Sequence, residues 1–251
     1  MRRFFIKPLI AVFISVVMAS CAGGEFREDP HLQHPIQVGI YAGGTQTRTE
    51  MGDNGLSTHW TTDDELAVWA RNSSGTDVLS AQIFEAYGLD GRHGYFTSTL
   101  ASAMADDLYT YFCCYPAPIA VSGTNVTFRL KSQQDGKVSS GADIMIAAPV
   151  QHGPLSAINE EEDHSGMSLQ MNRMMHQFRF QLPQTDTHLN GAAIERLKLT
   201  FPVNVAGDVQ LDLADPQKKA VLSQGTGDIT LELKDPLTVL EQNYACVAFV
   251  P

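Results

Sequence analysis

Basic residues are scarce: 17 Lys and Arg stand against 28 Asp and Glu in 251 residues, a formal charge of −11 at pH 7. That balance excludes a nucleic-acid binder, because phosphate contacts need clustered Lys and Arg. Cysteine is rare too, four in the chain, which makes a dedicated disulfide framework a poor expectation. Beyond the first 20 positions there is no long apolar run of the kind that crosses a bilayer as a helix, about 20 residues. The 20 Gly and 12 Pro are dispersed, so collagen-like and low-complexity chains are excluded. Charged residues make up only 18% of the chain and hydrophobic ones 43%. A core can therefore form, and global disorder is excluded.

Residues 1–20 read as an export signal. Arg2, Arg3 and Lys7 precede an apolar run, Leu9 to Met18, broken only by Ser15; it is too short for a membrane-spanning helix. Met18, Ala19 and Ser20 then lead directly into Cys21, a pattern that resembles the lipobox of bacterial lipoproteins. There the Cys thiol is acylated and becomes the new N-terminus. Cys21 is the expected lipidation site, and ordinary cleavage nearby with Cys21 a bystander is the alternative. Acyl chains hold a protein on a membrane at about 0.8 kcal/mol per buried methylene. Loss of residues 1–20 leaves 14 basic against 28 acidic groups, an acidic body kept soluble by self-repulsion.

Residues 21–35, with Pro30 and Pro35, read as a polar tether. Alternation with period 2 dominates thereafter. It runs through Ile36, Val38 and Ile40; Val126, Phe128 and Leu130; Met167, Leu169 and Met171; and Phe178, Phe180 and Leu182. Leu197 to Phe201, Val209 to Leu213 and Ile229 to Leu233 continue it. Turn formers such as Gly52-Asp53-Asn54-Gly55, Asp135-Gly136 and Asp215-Pro216 separate these sets. The expectation is an all-β chain of two tandem β-sandwiches, with a short helix around Ser98 to Asp107 as the one helical candidate. The best boundary is 149–166, where Pro149, Gly153, Pro154 and Gly166 surround the acidic run Glu160-Glu161-Glu162-Asp163. It divides an N-terminal sandwich, 36–148, from a C-terminal one, 167–251.

Catalytic signals are weak, and the expectation is that the protein is not an enzyme and holds no cofactor or metal. Cys113 or Cys114 with His93 or His176 is framed by no nucleophile motif, and Tyr109 to Tyr115 reads as a strand. Neighbours on a strand face opposite ways, so Cys113 and Cys114 cannot share one partner; with Cys246 they read as buried thiols acting as small hydrophobes. The acidic loop 160–163 with His164 lacks the spaced carboxylates of a calcium loop, and His31 and His34 lack further zinc ligands. Trp60 is a candidate for stacking on a sugar, whereas Trp69, within Leu66 to Ala70, reads as core.

One segment carries a mechanism. The strand Ile36 to Ala42 runs into Gly43-Gly44-Thr45-Gln46-Thr47-Arg48-Thr49. A single Arg among small residues suits an Arg-specific protease. Removing the strand would open an apolar groove that another chain's strand could fill. A plain turn at Arg48 is the equal alternative from this segment alone.

Together these segments resemble the fimbrillin-like family, the lipoprotein pilins of type V. The likeness lies in Met18-Ala19-Ser20-Cys21; in Thr47-Arg48-Thr49 followed by Trp60, Asp64 and the strand Leu66 to Ala70; in Ala142-Asp143-Ile144-Met145-Ile146-Ala147; and in Leu169 with Met175-His176-Gln177-Phe178-Arg179-Phe180. Order and spacing agree over roughly residues 17–205, and 206–251 agree only as generic β-structure. The resemblance implies two transthyretin-like Greek-key β-sandwiches, a lipid anchor at Cys21 in the outer membrane, and a place in a fimbrium at the cell surface. It implies proteolytic processing after Arg48, with Arg27 a second cut site that would leave the strand in place. The displaced strand would carry Ile36, Val38 and Ile40, and other fimbrial subunits would be the partners. Family members commonly continue past a strand like Val247 to Pro251, so a terminal, anchoring or incomplete member is among the expectations. The alternative is a non-polymerising outer-membrane lipoprotein that binds a glycan or a host or bacterial surface ligand.

Overall fold

Apolar residues at every second position are buried only if strands pair edge to edge and their apolar faces meet, and that is how the chain is built. The computed structural model describes residues 34–43, 50–51, 58–89, 93–137, 142–158, 167–182, 188, 191–238 and 244–251, with backbone alone at 50–51 and 58–59. Nineteen strands lie within them and, among the described residues, no helix. The first ten are β1 (Ile36–Gly43), β2 (Glu50–Met51), β3 (Thr58–His59), β4 (Glu65–Arg71), β5 (Asp77–Leu89), β6 (His93–Leu100), β7 (Tyr109–Tyr115), β8 (Ala120–Ser122), β9 (Asn125–Leu130) and β10 (Gln133–Gln134). The rest are β11 (Met145–Ala147), β12 (Val150–His152), β13 (Met167–Arg173), β14 (His176–Phe180), β15 (Ala193–Thr200), β16 (Ala206–Asp212), β17 (Val221–Thr226), β18 (Asp228–Thr238) and β19 (Ala245–Phe249).

Seven strands close on themselves in the order β11-β13-β1-β6-β5-β4-β7, with β7 pairing back onto β11. Closure removes the free edges that invite aggregation. β12 continues along β7 beyond β11, and the register shifts between the two where Pro149 has no N–H to offer the ladder. Val38, Ile40, Val68, Phe96, Tyr111, Cys113 and Leu169 fill the barrel interior.

A second core lies against the outer face of β4, β7 and β11. Trp69, Phe112, Cys114 and Ile146 from those strands meet Val126, Phe128, Val209, Leu211, Ile229, Leu231 and Val247. The strands around it form three sheets, β17-β16-β9-β8, β10-β18-β15 and β14-β19. The buried amide of Gln134 joins β10 to β19: its Nε2 donates to the Ala248 carbonyl at 2.8 Å, and its Oε1 accepts from the Ala248 N–H at 3.0 Å.

The all-β class stands, with two cores. The pairing nevertheless crosses the boundary expected at 149–166. β9 and β10, from the first segment, pair with β16 and β18, while β13, from the second, pairs with β1 and β11. Charge and turn residues in a sequence do not record which strands pair. The expected helix at Ser98 to Asp107 is a correction: Ser98 to Leu100 finish β6 in pairing with β1, and bends and irregular backbone follow. Cys113 and Cys114 do face opposite ways, one into each core, and with Cys246 they are buried free thiols. Burial alone pushes the Cys113 thiol far above its ordinary value and Cys246 up to about 11 despite the opposing pull of Arg179. Trp69, 1% exposed, is core as expected. Trp69→Ala should lower stability by about 3–5 kcal/mol, read as a shift of the urea midpoint; an unchanged midpoint would contradict the packing described.

Candidate functional site

β1 is the segment on which the sequence placed a mechanism. Its inward residues Val38, Ile40 and Ala42 are fully buried and Ile36 is half-buried, while Gln37, Gly39, Tyr41 and Gly43 occupy the other face. Along one edge all eight residues pair antiparallel with β6, from Ile36 opposite Leu100 to Gly43 opposite His93. Along the other edge Ile40 to Gly43 pair in parallel with Met167 to Gln170 of β13. The remainder of that edge is covered by residues 157–158, where Val38 bridges Ala157 and the Ile158 N–H donates to the Gln37 carbonyl at 2.8 Å.

The first strand is thus an inner stave of the barrel, flanked on both sides. Taking it away would leave a slot with strand edges at β6 and β13. The energetics decide how it could leave. Burying Val38 and Ile40 is worth about 1.5–3 kcal/mol each, and each ladder hydrogen bond adds about 0.5–1.5 kcal/mol net. At about 1.4 kcal/mol per factor of ten, the strand-free barrel is a rare state. Cutting the following loop would not by itself expel β1; a replacement strand must make the same contacts.

One end of the barrel is closed by a polar cluster beneath an aromatic lid. Trp60, 2% exposed, sets its ring edge-to-face against Phe96 and Tyr115, at 5.1 and 5.3 Å between centroids. Asp64, just before β4, is 3% exposed; its Oδ1 accepts from the Tyr115 hydroxyl at 2.6 Å and its Oδ2 from the Thr61 N–H at 2.6 Å. Asp143, fully buried ahead of β11, takes a two-pronged contact from Arg173 at the end of β13, at 2.5 and 2.6 Å. Burial pushes the Asp143 carboxyl above its ordinary value, the Arg173 guanidinium pulls it back, and Asp64 raises it further. These contacts tie the starts of β4 and β11 to the ends of β7 and β13, so they fix the frame into which β1 fits.

The expectations fall out unevenly. Cys21 and Arg48 lie outside the described residues, as do His31 and the acidic run Glu160 to Asp163. Ile36, Val38 and Ile40 are where the alternation put them. Trp60 is a correction: it is enclosed by Phe96 and Tyr115 and offers no ring to a sugar. Asp64 and Asp143 belong to stretches that carried the family resemblance, and both are structural carboxylates. Arg173 was missed, because nothing in its local sequence pairs it with a residue thirty positions earlier. Among the described residues no cluster of His, Cys, Asp and Glu is arranged to hold a metal ion. Two polar clefts of about 360 and 440 Å³ lie among the strands around the second core, and their walls include the ion pairs Arg129–Asp208 and Lys198–Asp228.

No family model and no curated protein matches the chain. Solved structures do. A candidate cell adhesion protein from Bacteroides uniformis superposes with a TM-score of 0.57 at 13% identity, over 86% of this chain and 74% of that one. The fimbrial anchor protein Mfa2 from Porphyromonas gingivalis gives a TM-score of 0.30 at 18% identity, over 84% and 76% of the two chains. The first likeness establishes the fold alone.

Arg173→Ala leaves a carboxylate buried without its cation and should cost about 3–5 kcal/mol near neutral pH. A carboxyl whose folded pKa is raised binds its proton more tightly folded than unfolded. Its stabilising share is therefore present in acid and lost as pH rises through the folded value. The deficit of the variant should accordingly shrink as pH falls through that raised range, because Asp143 then becomes neutral. Urea titrations at several pH values check this; a deficit that grows in acid would contradict it.

Proposed function

We propose that this protein is a cell-surface subunit or accessory of a fimbrial adhesion system. On this reading it is exported, acylated at Cys21, held in the outer membrane, and processed after Arg48 so that another subunit's strand can take the place of β1. The observation that carries the reading is the setting of β1: a stave with one buried apolar face, joined on both sides by main-chain hydrogen bonds, and followed directly by the segment that holds Arg48. Strand replacement in such a slot uses main-chain hydrogen bonds for affinity and the pockets of alternate side chains, here those of Val38, Ile40 and Ala42, for specificity. The candidate cell adhesion role of the Bacteroides uniformis protein, whose fold is like this one, agrees with it.

The transthyretin-like Greek-key ancestry of the two bodies belongs to the same proposal, with strands exchanged across 149–166. Catalysis has no part in it. Its partners are other fimbrial subunits, the membrane through the acyl anchor, and a surface ligand.

Two measurements test it. Cys21→Ser should abolish incorporation of labelled palmitate and move the protein out of the membrane fraction; unchanged labelling would remove the anchor from the account. Treatment of the mature protein with an Arg-specific protease should shorten it at Arg48 and convert monomers into oligomers. A chain that is cut at Arg48 and stays monomeric in the presence of fresh subunit would favour the non-polymerising alternative.

A further inference from the structure

The wall of the barrel turned away from the second core differs in chemistry from the rest of the chain. It is formed by β13, β1, β6 and the end of β5. Together β13, β1 and β6 contain a single Lys, Arg, Asp or Glu residue, Arg173, and that residue is turned onto Asp143. Ser168, Gln170 and Asn172 are exposed on β13, and Gln37 and Thr99 are exposed on β1 and β6. A chain of net charge −11 therefore carries a nearly neutral surface of amides and hydroxyls.

Three tyrosines cross this wall. Tyr41 of β1 lies opposite Tyr95 of β6, with ring centroids 4.8 Å apart and planes at 47°. Tyr87 of β5 meets Tyr95 at 6.2 Å and 77°, beside a register shift between Ala86 and Gly88. The middle ring is held from below: a Cβ at Gly39 would fall 1.9 Å from the Tyr95 hydroxyl, so only glycine lets that ring lie across β1. Tyr87 is 68% exposed and stands up beside the buried Tyr95, which makes an aromatic corner open to solvent. Glu85, two residues before Tyr87, adds one carboxylate at the margin.

We propose that this tyrosine row is a binding face for a neutral glycan. Sugars present apolar C–H faces and hydroxyls that both donate and accept. Rigid rings with phenol tips meet the first, while amide and hydroxyl side chains meet the second. The lack of Lys and Arg disfavours sialylated or sulfated chains, and the acidic charge of the whole protein repels them. The site supplies a ligand class for the adhesion reading in the chain that has kept β1, before strand replacement, and rests on that reading only for its biological use. Because Tyr41 is carried by β1, the row is complete only while the chain keeps its own first strand.

The test applies the purified, uncleaved full chain to an array of neutral, sialylated and sulfated oligosaccharides. Retention on neutral glycans is expected, with about tenfold loss for Tyr87→Ala and little loss for Tyr87→Phe, which keeps the ring. The exposure of Tyr87 means that its alanine variant should melt with the parent, and Tyr41→Ala provides a second arm. The proposal is overturned by no retention on any neutral glycan, by preference for the acidic ones, or by retention that Tyr87→Ala and Tyr41→Ala leave intact. A polypeptide ligand lost with Tyr87, without glycan binding, overturns it as well. A chain that assembles into filaments yet fails on the array sinks this inference alone.

Discussion

The structure depends on a ring of main-chain ladders being closed. Seven strands pair in a closed ring, and β1 is the stave through which β6 and β13 are joined. Removing any stave converts a closed barrel into an open sheet with two unpaired edges around an apolar interior, the costliest kind of surface for a β-protein to expose. A chain built this way holds its first strand tightly and, once deprived of it, has strong reason to accept another.

The position of β1 on the barrel makes such an exchange physically reasonable. The second core packs on β4, β7 and β11, whereas β1 lies on the opposite wall and, among the described residues, is not part of that core. Its replacement would therefore leave the interface between the two cores alone. The cluster of Asp64, Tyr115, Asp143 and Arg173 works to the same end, since it ties together strands that stay behind. Buried ion pairs are weak sources of stability but good devices for fixing one arrangement. The face that carries the tyrosines shares this uncovered wall, so assembly and ligand capture would draw on the same strand.

Much of this is legible in the sequence, and what is not has physical causes. Half-buried strands announced themselves by alternation: Val126, Phe128 and Leu130 became β9, and Ile229, Leu231 and Leu233 became part of β18, with inward side chains as read. β4 and β7 are buried on both faces, so they show apolar runs, and which face met which core was invisible. β5 carries Ala81 at a φ of 51° and several register shifts, which hid its length. Phe178 alternates with Phe180 as an apolar strand face does, yet it is 48% exposed; among the described residues β14 pairs only with β19, and the ring rests on Phe249 at 4.5 Å. Long-range partnership was the least accessible property. The parallel pairing of β1 with β13 and the meeting of Asp143 with Arg173 depend on topology, which local pattern does not encode. The tyrosine row was missed for the same reason, its three members coming from three strands.

The central claim is that β1 is a replaceable stave, and amide hydrogen exchange tests it most directly. Residues 93–100 and 167–170 are to be followed in the intact chain, in the chain cut with an Arg-specific protease and stripped of its N-terminal fragment, and in the stripped chain after fresh subunit is added. The account predicts strong protection in the first state, marked loss in the second and recovery in the third, as β6 and β13 lose and regain a partner. Protection that is unchanged after β1 has gone, or that fails to return when subunit is supplied, would contradict it.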